Sequence, residues 1–326
     1  MLDNYKIFVE SLNLILNNEV DDLNVSKPKE MYEPMGYIIG LGGKRVRPLL
    51  TLISCDLFDI PIQNASQSAI AVEFFHNFSL IHDDILDKAP LRRGKITVHE
   101  KWNNDIAILS GDGMMAKAFY VLCKSNQNHI GDLLRLFSKT AIEVCEGQQY
   151  DMNFESQNNV SVSEYIHMIT NKTAVLLGCS LQMGAICANA NTENQLHIYE
   201  FGKNIGIAFQ LLDDVLDVYA NDEKFGKQVG GDIISNKKTF LLLKAFELSS
   251  LEQKAQLNNL LKLSDDVTKV KLVTAIFNDL NIKQIATEEA NKYTSLALTH
   301  LEKIKANDAK KESLKQFAFQ LLNRNI

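Results

Sequence analysis

The stretch Gln67–Asp87, QSAIAVEFFHNFSLIHDDILD, decides the fold. It contains no Pro or Gly, is apolar over most of its length, and closes on three aspartates, Asp83, Asp84 and Asp87. A run this long with neither breakers nor strict alternation reads as a core helix, not as a strand. Its end is marked by Pro90 and by Arg92-Arg93-Gly94, which reads as a loop. Asp83 and Asp87 stand at i and i+4, so their carboxylates share one helix face, flanked by Asp84.

The rest of the chain extends the same reading. Only 5 of 326 residues are Pro and 16 are Gly, and no Pro occurs from Leu91 to Ile326. Collagen-like, Pro-linker and turn-dense β chains all need more frequent punctuation. Periodicity predicts a helix at Tyr5–Leu16, a connection at Ser26–Pro34, and a helix from Pro48, which suits a first turn, to about Leu57. Further helices fit Ile106–Cys123, Ile130–Asn153, Ser163–Ala190, Gln195–Val218 and Thr239–Leu248, with three more toward Ile326 and no strand signal. Without a linker or a shift in composition, residues 1–326 read as a single all-α domain, a bundle of long helices.

Composition narrows the function. At 46% apolar and 23% charged the chain is an ordinary globular protein. Its net charge of −6 argues against binding nucleic acid through overall charge. Met1–Glu10 is too polar for a signal peptide, and Ala174–Ala190, interrupted by Ser180, Gln182 and Asn189, is short for a membrane span. Cys55, Cys123, Cys145, Cys179 and Cys187 form no C-x-x-C pair and read as reduced core residues, which implies a cytoplasmic protein.

Asp213-Asp214-Val215-Leu216-Asp217 repeats the D-D-x-x-D pattern of Asp83–Asp87. Like charges at this spacing repel, so two such sets inside apolar helices imply a cationic partner. Carboxylate oxygens without His or Cys suit Mg²⁺, a hard cation that bridges to substrate phosphates. Compact basic groups answer them: Gly43-Lys44-Arg45-Val46-Arg47-Pro48, Arg92-Arg93, Lys172-Thr173, Gly226-Lys227 and Lys237-Lys238-Thr239. Arg forks and Lys charges match phosphate oxygens, so the whole describes a pocket for diphosphates.

In this order, G-K-R-x-R-P, the first D-D-x-x-D, R-R-G, K-T, F-Q-x-x-D-D and G-K resemble the trans-isoprenyl diphosphate synthases, or polyprenyl synthetases, over about Gly42–Thr239. The resemblance implies the all-α isoprenoid-synthase fold, with the aspartate motifs facing each other across a central cavity, and a homodimer. It implies that Asp83, Asp84, Asp87, Asp213, Asp214 and Asp217 hold a cluster of about two to three Mg²⁺ ions on an allylic diphosphate. Arg92, Lys172, Thr173, Gln210, Lys227 and Lys237 would contact that diphosphate, with Lys238 as the alternative to Lys237. Lys44, Arg47, His76 and Arg93 would hold isopentenyl diphosphate. The implied reaction ionises dimethylallyl, geranyl or farnesyl diphosphate, adds the isopentenyl double bond to the cation and loses a proton.

In such enzymes bulk just before the first motif floors the product tunnel, and those positions here are Phe78 and Ser79. Five helical residues span about 7.5 Å, so a twenty-carbon product, geranylgeranyl diphosphate, is expected, with farnesyl or longer products as alternatives. Other classes fit less of the chain. Glu73-x-x-His76 and Glu164-x-x-His167 have the spacing of di-iron bundles, but an iron enzyme leaves the aspartate pairs and arginines unexplained. A terpene cyclase of the same general fold needs no second diphosphate site. A non-catalytic partner subunit is expected to have lost charged ligands, and none is lost here.

Overall fold

Long helices carry the chain, as its scarcity of breakers requires. In a computed structural model residues 5–157, 159–220 and 229–323 are described. The chain divides into two compact units: Met1–Ser138, Cys179–Ile198 and Lys305–Ser313 form the first, and Lys139–Gly178, Tyr199–Ile304 and Leu314–Ile326 the second.

The first unit is built around α4 (Ser66–Leu86), which packs along α6 (Asn104–Leu122) and against α3 (Val46–Leu57). Residues on all sides of α4 are buried, among them Ile70, Phe74, Phe75 and Ile81. Phe75 packs on Phe78 and Phe137, and Phe137 on Phe119, with ring centroids 5.1–5.5 Å apart. Helix α1 (Lys6–Val25) lies on α2 (Lys29–Gly40), burying Leu12, Leu16 and Leu23. After α4 come β1 (Leu91–Arg92), β2 (Lys95–Ile96) and the short α5 (Val98–Lys101).

The long helices α7 (Ile130–Ser156), α9 (Val175–Cys187) and α10 (Thr192–Tyr219) each contribute residues to both units. In the second, α8 (Val162–Ile169) begins at a capping box of Ser161 and Glu164. Its later part comprises α11 (Gly231–Ile234), α12 (Phe240–Leu248), α13 (Leu251–Leu260), α14 (Asp266–Asp279) and α15 (Ile282–Lys303), followed by α16 (Asp308–Leu322). Helix α12 packs on α8, α14 and α15, and α14 covers α11.

Five local expectations change. The connection at Ser26–Pro34 is helical from Lys29, with Pro34 inside α2. In the second turn of α2, Pro34 removes one hydrogen bond, to the carbonyl of exposed Glu30, where water can replace it. The loop after α4 is a two-residue hairpin, Arg92 pairing with Lys95. Arg93 (φ 53°) and Gly94 (φ 72°) both take the left-handed conformation that such a turn requires. Ser163–Ala190 is helical through Cys187 but not uniformly α: a π-helical turn at Thr170–Ala174 lies between α8 and α9. Among the described residues four helices, not three, follow Leu248. Cys123 and Cys145 are exposed, leaving Cys55, Cys179 and Cys187 in the core.

Candidate active site

In the first unit the aspartates close α4 with unequal surroundings. Asp84 is 1% exposed. Arg92 grips it with a fork: Nε donates to Oδ1 at 2.9 Å and to Oδ2 at 2.8 Å, and Nη2 to Oδ1 at 2.7 Å. Asp83 is half-buried, and Asp87, at the helix end, is exposed. The structure thus joins Asp84 to Arg92, residues that the resemblance assigns to metal and to diphosphate.

The basic loops gather beside them. Arg45, left-handed at φ 48° before α3, pairs with buried Glu73 and donates to the Ile39 carbonyl. Arg47 Nη1 lies 3.3 Å from His76 Nε2. An edge of the His76 ring still reaches solvent. Desolvation, then the charges of Arg47, Arg93, Arg92 and Arg45, nevertheless hold its pKa well below the ordinary value. His76 is therefore a neutral group among cations. Arg93 donates to the Gly42 carbonyl and lies flat on Gly43, where a Cβ would sit 2.7 Å from its Cζ. The φ of 134° at Gly43 favours glycine there, and a side chain would also displace the Arg93 guanidinium. Lys44 is exposed on the same loop.

The second unit carries the other motif on α10. Asp214 is buried and accepts from the Tyr165 hydroxyl, from Gln210 Nε2 at 3.3 Å and from the Phe240 amide at 3.3 Å. Burial, reinforced by Asp232, pushes it up to about 7 against the opposing hydrogen bonds and Lys237. Tyr165 is raised well above its ordinary value by burial and by Asp214. Asp217 Oδ2 accepts from the Asp232 amide at 3.0 Å. Burial raises Asp232 itself to about 6, with Lys237 opposing and Asp217, Asp213 and Asp151 reinforcing.

The cations of this unit converge on one acid. Lys172 Nζ lies 2.6 Å and Lys237 Nζ 3.9 Å from Asp151 Oδ2. Thr173 Oγ1 donates to Gln210 Oε1 at 3.3 Å. Lys172 and Thr173 sit on the π turn, a form often found at functional sites. Gly147 admits that turn closely, since a Cβ there would lie 2.2 Å from the Lys172 amide nitrogen. Lys238 is turned away, donating to the Phe154 carbonyl at 2.6 Å, which leaves Lys237 at the acidic group. Lys227 lies outside the described residues.

Sequence reasoning missed Asp151, Tyr165 and Asp232. The first two are single residues with no motif; Asp232 had a faint signal, the Gly230-Gly231 pair before it. The E-x-x-H pairs have other uses. Glu73 holds Arg45 and accepts from Asn77, Glu164 caps α8, and His167 packs edge-on against Tyr150 at 5.3 Å. Phe78 is 7% exposed and packs between Phe75 and His82, and Ser79 Oγ donates to the His76 carbonyl at 2.9 Å. A concavity of about 350 Å³ lined by Phe277, Asn281, Lys283 and Glu288 contains none of these groups.

Among the described residues no three His, Cys, Asp or Glu side chains converge as a ready-made metal cage. Mg²⁺ does not require one, because it keeps waters and takes its remaining oxygens from phosphates beside one or two carboxylates. Asp83 with Asp87, and Asp213 with Asp217, fit that demand as oxygen donors one turn apart on a helix.

Comparison with known proteins identifies the family and the fold. Residues 28–280 match the polyprenyl synthetase family. The geranylgeranyl diphosphate synthase of Saccharolobus solfataricus is 36% identical over 322 residues, 95% of this chain and 97% of that one. A crystal structure of a geranylgeranyl pyrophosphate synthase, 42% identical, superposes with a TM-score of 0.91 over 97% of this chain and 98% of its own. That of the geranylgeranyl pyrophosphate synthetase from Pyrococcus horikoshii, 31% identical, gives 0.92 over 99% and 100%. The paired D-D-x-x-D motifs and their basic partners thus stand in an all-α isoprenoid-synthase fold, and the chain belongs to the polyprenyl synthetase family.

Proposed function

We propose that this prenyltransferase condenses isopentenyl diphosphate with an allylic diphosphate in a Mg²⁺-dependent reaction, and that its product is geranylgeranyl diphosphate. The observation that carries the reading is the duplicated D-D-x-x-D, each copy ending a long helix beside basic side chains held by ion pairs. The names of the relatives at 36% and 42% identity support the twenty-carbon product. Both units serve one activity in this reading, which treats residues 1–326 as one domain.

Mg²⁺, held by Asp83, Asp87, Asp213 and Asp217, would supply positive charge against the leaving diphosphate. Asp84 and Asp214, the buried middle members, act by posture: one holds Arg92, the other holds Gln210 and the start of α12. Lys172, Thr173, Gln210, Lys237 and Lys227 bind the allylic diphosphate along with Arg92. As its C–O bond breaks, the electron pair leaves on the diphosphate. Lys44, Arg47, neutral His76 and Arg93 orient isopentenyl diphosphate, whose double bond attacks the cation. The proton lost in closing the new double bond goes to the departing pyrophosphate. No side chain serves as a nucleophile.

Purified protein with Mg²⁺, isopentenyl diphosphate and dimethylallyl, geranyl or farnesyl diphosphate tests this; no elongated product with any primer refutes it. Phe78→Ala is expected to lengthen the products, and an unchanged chromatographic profile removes Phe78 from chain-length control.

A homodimer belongs to the same reading. Ile108, Leu109 and Tyr120 of α6 are 46%, 57% and 62% exposed. These are exposed apolar side chains of one helix that a second copy would cover. Light scattering tests it by the mass in solution. No helix among the described residues is long and apolar enough to cross a membrane, and a cytoplasmic location is part of this proposal.

A further inference from the structure

The arginines of the hairpin are held in place by a residue that no motif marks. Strands of two residues each, Leu91–Arg92 and Lys95–Ile96, are too short to fix a hairpin by their own pairing. Its position comes from ties to its surroundings. At the turn Arg92 grips Asp84 and Arg93 donates to the Gly42 carbonyl. At the open end Thr97 Oγ1 donates to the Ala89 carbonyl at 2.7 Å, and the Ala89 amide donates to the Asp84 carbonyl at 2.9 Å, which ties the incoming strand to α4.

The outgoing strand is tied by Tyr37 of α2, whose hydroxyl donates to the Ile96 carbonyl at 2.7 Å. The Tyr37 ring is itself fixed, edge-on against Trp102 with centroids 5.4 Å apart and with Lys101 Nζ 3.9 Å from its centre. The same end of α2 offers the Ile39 carbonyl to Arg45 and leads into Gly42, which receives Arg93. One helix end therefore sets both basic loops.

We propose that Tyr37 is a positioning residue for diphosphate recognition, its hydroxyl fixing the hairpin so that Arg92 and Arg93 are presented together. The proposal rests on the prenyltransferase reading above. The hydroxyl acts through the hairpin and touches no substrate, so its loss weakens binding without slowing bond cleavage.

Tyr37→Phe removes the hydroxyl and keeps the ring contacts. The expected result is a rise of about three- to tenfold in KM for isopentenyl and allylic diphosphates, the range one net hydrogen bond allows, with kcat unchanged and the melting temperature lower by about 2 °C. Calorimetric titration with inorganic pyrophosphate should show the same loss of affinity without turnover. Unchanged KM and pyrophosphate affinity would overturn the proposal, as would a fall in kcat at constant KM. Wild-type protein that elongates no primer sinks the prenyltransferase reading instead, and the pyrophosphate titration still decides whether Tyr37 sets the grip of the hairpin.

Discussion

The two D-D-x-x-D copies are alike in sequence and opposite in surroundings. Around the first, Arg45, Arg47, Arg92 and Arg93 crowd a neutral His76, and the buried Asp84 is answered by a formal charge, the Arg92 fork. Around the second, Asp232 and Asp151 add to the acids, and the buried Asp214 is answered by Tyr165, Gln210 and a backbone amide, all neutral donors. The spacing determines which carboxylates share a helix face. The field in which they sit is set by residues far along the chain.

The outermost aspartates should matter most, and equally. Asp83→Ala and Asp213→Ala are each expected to lower kcat by on the order of a hundred- to a thousandfold, as loss of charge stabilisation at a leaving group does, with the fold intact by circular dichroism. Full activity in either would remove that copy from the chemistry. The middle aspartates should separate the two surroundings. Asp84→Asn breaks a buried ion pair and is expected to cost about 3 kcal/mol in urea denaturation, the low end for such pairs, since Arg92 keeps some contact with water. Asp214→Asn, whose direct hydrogen-bond donors are all neutral, should cost about half as much. Equal costs would erase the distinction.

The basic surroundings also predict a pH effect. His76 is held neutral when folded but can protonate near its ordinary value, about 6.5, when unfolded. The folded state therefore loses stability as pH falls below that value, by about 1 kcal/mol between pH 6.5 and 5.5. His76→Gln should flatten that part of the urea midpoint against pH, and an unchanged slope would show that His76 titrates alike in the folded and unfolded states. The smallest effect is expected from Tyr165→Phe, about 1 kcal/mol for one donor to Asp214, and a loss as large as that of Asp84→Asn would mean that Asp214 depends on Tyr165 as Asp84 does on Arg92.

Much of this was legible because helices repeat. The long apolar runs without proline predicted α4, α6, α7 and α10 to within a few residues, and i, i+4 spacing placed Asp83 with Asp87. What a repeat does not encode was lost. Tyr165 and Asp151 reach Asp214 and Lys172 across the packing of separate helices, and no local pattern announces a residue chosen by a distant partner. Pro34 misled because it lies inside α2, where the one bond it removes would go to the carbonyl of the exposed Glu30. The hairpin was read as a loop because strands of two residues leave no alternation to see.

The π turn at Thr170–Ala174 makes length itself a selected property. It accommodates one residue more than an α turn would, so every side chain after Ala174 is rotated by about 100° from its place on an unbroken helix. Gly178 owes to that rotation its place against Tyr199, where a Cβ would come within 2.9 Å of the Tyr199 carbonyl oxygen. Deleting one residue from the turn would restore ordinary α-helical hydrogen bonding while aiming a different side chain at Tyr199. Local backbone preference and global packing thus select opposite lengths for this segment, and its residue count carries information that none of its side chains does.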